Sequence, residues 1–83
     1  MAYKVIRQPE FTTNLTKLRI IPPHLHDHYL SGVIWALEHD PRVGKQVGRN
    51  VWMIKVIWAP VVPKIFYAIN DTQKTVYLLD ITP

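Results

Sequence analysis

Along "VWMIKVIW" (51–58), large apolar side chains occupy every second position, a period that suits an extended strand. The even positions are Trp52, Ile54, Val56 and Trp58; the odd ones are Val51, Met53, Lys55 and Ile57. Side chains alternate across a sheet, so the even set makes the better core face. In "KIFYAIN" (64–70), Ile65, Tyr67 and Ile69 are the bulkier set, against Lys64, Phe66, Ala68 and Asn70. With both bulky sets turned to one layer, Lys55 and Lys64 share the other face. An antiparallel hairpin then makes them opposite or diagonal neighbours, within about 5 to 8 Å at Cβ. A third strand, 74–81, follows the turn Asn70-Asp71-Thr72-Gln73, and its facing stays open. Either Val76 and Leu78, or Tyr77, Leu79 and Ile81, can meet the core. Both sets are apolar, so the open face carries hydrophobic area of the kind that partners cover.

The first half of the chain has a different period. "AYKVI" (2–6) predicts a short strand. "PEFTTNLTKL" (9–18) predicts a helix: Pro9 and Glu10 suit a first turn, and Phe11, Leu15 and Leu18 form one stripe. "IIPP" (20–23) stops it. Residues 23–40 predict a second helix with Leu30, Val33, Ile34 and Leu37 on one face, widened by Leu25 and Tyr29. Gly32 costs about 1 kcal/mol relative to alanine in a helix interior, which suggests close packing there. "HDPRVGKQVGRN" (39–50), with Pro41, Gly44 and Gly48, reads as a connection. The order is strand, helix, helix, then three strands. This is an α+β domain over 1–83, with an antiparallel sheet and two helices on one face.

Charge sharpens the picture. The net charge is +4, and the acids are Glu10, Asp27, Glu38, Asp40, Asp71 and Asp80. None falls between Pro41 and Asn70, where Arg42, Lys45, Arg49, Lys55 and Lys64 all lie. Such a block favours polyanions or an acidic protein partner; the plainer reading is that it keeps a small domain soluble. Two lysines on a bare face suit holding a phosphate or general-base work, where the plainer role is to guard an exposed strand edge. The chain lacks cysteine, which excludes disulfides and thiolate zinc sites. No run is apolar enough to span a membrane, and "MAYKVIRQPEF" lacks a secretory signal's apolar core, so a cytoplasmic protein is expected.

Other chemistries find little support. His24, Asp27 and His28 share the side of a helix start at metal-ligand spacing, but the glutamate of an H-E-x-x-H site is missing, and no metal is expected. Gly44 and Gly48 lack the rest of a phosphate-cradling loop. Ser31, the single serine, sits inside a predicted helix, and no carboxylate pair suits glycoside hydrolysis. Trp35, Trp52 and Trp58 read as core rather than as base-stacking platforms.

The ordered set "YKVI", "PEF..NL..L", "ALEHDPRVGK", "VWMIKV" and "KIFYAINDTQKTVYLLDI" resembles the RelE/ParE superfamily, small toxins of type II toxin–antitoxin modules. The resemblance spans nearly the whole chain. It implies a curved antiparallel sheet with two helices on one side and a basic concave face on the other. In the ribonuclease branch that face binds mRNA in the ribosome, without metal or other cofactor. The 2′-hydroxyl attacks the adjacent phosphate, with basic side chains replacing the usual histidines. Carried over by position, Lys55 and Lys64 are the catalytic candidates; Arg42, Lys45 and Arg49, from the same basic block, are the RNA-binding candidates. Lys64 matches an arginine whose cation would stabilise the charged phosphate, although lysine lacks the guanidinium fork. The partners implied are an acidic antitoxin, mRNA and the ribosome.

Two departures bear on catalysis rather than fold. Met53 stands where catalytic members often carry a further lysine, and no arginine and tyrosine follow "DITP". The alternatives are a ParE-like inhibitor of DNA gyrase, or a member that acts only by binding protein. An interaction domain unrelated to toxins is the third reading.

Overall fold

Pro9 occupies the first turn of α1 (Pro9–Lys17), where its missing N–H costs nothing, with Glu10 beside it and Lys17 in the last turn. Both charges complement the helix dipole. Phe11 and Leu15 are buried, and the stripe ends at the partly buried Leu18. Arg19 then takes a left-handed φ of 51° and turns the chain away. The computed structural model describes residues 2–19 and 21–83; of the predicted "IIPP" break, Ile20 lies outside them.

Before α1 runs β1 (Lys4–Arg7); after it a 3-10 turn, Pro23–Leu25, leads into α2 (His26–His39). The second helix therefore starts later than its periodicity predicts. Leu30, Val33 and Leu37 are buried, as expected. Gly32 and Trp35 are not. A Cβ built on Gly32 would meet nothing within 4 Å, so this glycine serves no close packing. Trp35 is 62% exposed, with its ring stacked at 4.2 Å on His39. At 3.6 residues per turn, Trp35 lies about 200° around the helix from both Val33 and Leu37, which turns it to solvent. Trp58 is buried and Trp52 packs against the core, so two of the three tryptophans behave as predicted.

The sheet has five strands in the order β1-β5-β4-β3-β2, where β2 is Lys45–Gly48, β3 Val51–Lys55, β4 Lys64–Asn70 and β5 Thr75–Thr82. Two corrections arise. The 39–50 connection contains an edge strand, β2, paired antiparallel with β3. The sheet is mixed, because β1 runs parallel to β5 at the other edge. All four residues of β2 are exposed, so no buried set marks it in the sequence. Strand β3 also stops at Lys55 instead of 58, and Trp58 bridges Val61 within the loop.

One buried layer joins helices to sheet. Phe11, Leu15, Leu30, Val33 and Leu37 pack with Val56, Trp58, Ile65, Tyr67, Ile69, Val76, Leu78 and Ile81. The open question of β5 resolves by a bulge: Tyr67 pairs with Leu78 but Phe66 with Asp80. Leu79 is the extra residue, and the core set passes from even to odd numbering across it. Tyr67 ties this layer to the α2–β2 connection. Its hydroxyl donates to the Pro41 carbonyl at 2.8 Å and accepts from the Gly44 N–H at 3.1 Å. Burial raises its pKa above the ordinary phenol value.

Candidate nucleic-acid interface

The register of the β3–β4 hairpin decides where the cations go. Lys55 and Lys64 are direct cross-strand partners, and both are exposed. Partners on a ladder share a face, so the two ammonium groups rise together from the side that the helices leave bare. Lys45 joins them. It pairs with Met53, and Met53 pairs with Phe66, so all three lie on the same face as the lysine pair. By register the surface has one rung of Lys45, Met53, Phe66 and Asp80, and a next rung of Lys55, Lys64 and Thr82. Beside it a shallow concavity of about 390 Å³ is lined by Val43, Gly44, Lys45, Met53, Ile54 and Lys55.

Nothing anionic in the described residues answers these charges. The ion pairs among them are Arg7–Asp27 at 2.9 Å and Arg42–Asp71 at 2.6 Å; neither involves a lysine of this face. Asp80 is the nearest carboxylate by register, opposite Phe66. Its Oδ1 accepts from the Asn14 side chain of α1 at 2.6 Å and from the Ile81 N–H at 2.8 Å. That oxygen is thereby engaged with the helix layer and its own backbone.

The other two sequence candidates stand apart from this cluster. The Arg42 guanidinium donates to both oxygens of Asp71, at 2.6 and 3.3 Å, and lies 6.0 Å from the Trp52 ring centre. Tyr3 also donates to Asp71 at 2.7 Å. These donors hold the Asp71 carboxyl at about 2, and the pair raises the Arg42 pKa in return. Asp71 follows the end of β4 that lies opposite Lys64, about 20 Å along the strand. Arg49 occupies the β2–β3 turn, at the end of β3 away from Lys55. Of the His24, Asp27 and His28 set at the start of α2, Asp27 accepts from Arg7 at 2.9 Å. Among the described residues no group of three or more His, Asp or Glu side chains could hold a metal ion.

The same face has an apolar part, as the alternation of β3 and β4 implies. Met53 and Phe66 are partly buried, yet neither belongs to the core cluster or packs against it. Their parity matches that of the lysines and was the available signal. No helix among the described residues is long and apolar enough to cross a membrane.

No family model matches this chain, and no curated protein matches it by sequence. Solved structures do. A chain of the RelBE2 toxin–antitoxin complex of Mycobacterium tuberculosis aligns over 99% of this chain and 91% of its own, at 22% identity and a TM-score of 0.77. A mutant E. coli toxin RelE in the free state aligns over 98% of this chain and 82% of its own, with 18% identity and TM-score 0.68. The archaeal RelE–RelB complex of Pyrococcus horikoshii gives 100% and 96% coverage, 16% identity and TM-score 0.61. The chain thus has the RelE fold: two helices on one face of a mixed five-stranded sheet.

Proposed function

From a RelE fold with an uncompensated basic face, we propose that this protein is the toxin of a toxin–antitoxin pair and that Lys45, Lys55 and Lys64 bind RNA. The observation that carries the reading is the Lys55–Lys64 register pair, two like charges set directly opposite one another with no carboxylate to hold them. Like charges placed so destabilise a sheet, and a polyanion removes the penalty. The solved neighbours include complexes with antitoxins, and a cationic face calls for an acidic partner of that kind.

The chemistry that suits these groups is cleavage by the RNA itself. The ribose 2′-oxygen bonds to phosphorus as the bond to the 5′-oxygen breaks. A proton leaves the 2′-hydroxyl and another reaches the departing oxygen. Lys64 stabilises the charge that builds on the non-bridging oxygens, worth on the order of 100-fold or more in rate. Lys55 lies opposite, where its ammonium can neutralise the same phosphate or give a proton to the departing 5′-oxygen, while solvent water takes up the proton of the 2′-hydroxyl. Lys45 holds a neighbouring phosphate.

A ribosome-programmed translation mixture tests this. Purified protein should cut the mRNA, and Lys64→Ala or Lys55→Ala should abolish the cuts. Intact mRNA with the wild-type protein would remove the nuclease. Met53 favours a second reading, RNA binding without cleavage, because a thioether on the lysine face offers no proton chemistry. In that case RNA binding survives while cleavage is never seen. Inhibition of gyrase supercoiling instead would mark the ParE-like alternative.

A further inference from the structure

Phe66 is an aromatic side chain with no core to fill. Its strand neighbours Ile65 and Tyr67 are both fully buried in the core, whereas Phe66 has the opposite parity, is partly buried, and is not among the side chains packed against the core cluster. Its register partners are Met53 on β3, whose other partner is Lys45, and Asp80 on β5, whose Oδ1 is taken up by Asn14 and the Ile81 N–H. Lys64 lies two residues back on the same strand and face, and Lys55 is the diagonal neighbour across the ladder. Such positions put both Cβ atoms within about 8 Å of that of Phe66. A nucleotide carries its base and its phosphate at a comparable separation. A ring flanked by cations at this distance is the arrangement by which proteins grip unpaired strands, stacking a base while ammonium groups take the phosphates.

We infer that Phe66, floored by Met53, is a stacking platform for one unpaired nucleobase, and that the face therefore selects single-stranded over duplex RNA. This rests on the RNA-binding reading above and adds what that reading lacks, a contact to the base. A duplex keeps its bases inside the stack, so it could engage the lysines but not the ring. Stacking is indifferent to base identity, because every base has a π-face. The contact thus sets strandedness rather than sequence. An acidic protein segment would use the lysines too, but has no need of a flat aromatic partner.

The test is fluorescence anisotropy with a labelled 12-nucleotide RNA, its duplex, and the same strand carrying abasic sites. Wild type, Phe66→Leu, Phe66→Trp and Lys55→Ala/Lys64→Ala are compared across a salt series. Phe66→Leu should weaken single-strand binding by about 5- to 100-fold, leave the salt slope unchanged, and bind the abasic strand no worse than wild type does. Phe66→Trp should restore or exceed wild-type affinity. The double lysine variant should flatten the salt slope instead. Equal binding by Phe66→Leu and wild type, or equal binding of duplex and single strand, overturns the platform while leaving RNA binding standing. Failure of wild type to bind any RNA overturns both readings. Thermal melting of each variant confirms that the fold is kept.

Discussion

Strand β4 has a cation at each end of its reach, and the two are treated oppositely. At the Asn70 end, Arg42 is gripped by Asp71, which also takes the Tyr3 hydroxyl. At the Lys64 end, one ammonium stands opposite another, and neither forms an ion pair among the described residues. Both cations come from the same acid-free block of sequence, and both are exposed. The difference teaches that a basic stretch is no measure of available charge. Asp71 joins the β4–β5 turn to the N-terminal segment through Tyr3 and to the α2–β2 connection through Arg42. Lys55 and Lys64 make no ion pair among the described residues, and like charges set opposite one another on a ladder are mildly unfavourable.

The sharpest way to break this contrast is to neutralise the unpaired end. Lys64→Ala or Lys55→Ala should lower RNA cleavage by about 100-fold or more, read by mapping cut ends in a translation mixture, with no loss of melting temperature. Next in size is the tether between the two ends. Tyr67→Phe removes a buried hydroxyl that both donates and accepts, leaving Pro41 and Gly44 unpaired. It should cost about 1–3 kcal/mol in denaturant unfolding, because buried polar groups lose their partners.

The paired end responds to acid. Asp71 has its pKa lowered from 3.8 to about 2 by Arg42 and Tyr3, so its contribution is fully present above 3.8 and disappears as pH falls through 2. An Asp71→Asn variant should melt below wild type at neutral pH and converge on it in that acid window, followed by circular dichroism. The smallest effect has the opposite sign. Lys64→Gln relieves the cross-strand repulsion and should stabilise the protein by a few tenths of a kcal/mol, more at low salt than at high.

Much of this contrast was legible in the chain, and the part that was not has physical causes. Alternation set the faces of β3 and β4 because one side of each strand is bulky, and that parity put Lys55 and Lys64 on one face as opposite or diagonal neighbours. The register makes them direct partners. The stripe of α1 was readable for the same reason. Strand β2 has no buried side, so period carried no signal, and it read as a loop. The partner of Arg42 lies 29 residues away in a turn, beyond any local pattern. For Gly32 and Trp35 residue type is no sign of packing, because the angle around the helix settles exposure. The parity of β4 places Phe66 on the lysine face.

The bulge at Leu79 has a wider consequence. Because β5 absorbs one surplus residue there, its far end keeps Ile81 inward and Thr82 beside Lys64 whatever happens to that single position. Losing Leu79 would simply straighten the ladder, with Asp80 still across from Phe66. Losing Tyr77 instead would bring later side chains round to the wrong layer. The strand thus holds one site where its length can drift without disturbing the basic face, and a record of insertions and deletions among relatives should concentrate there.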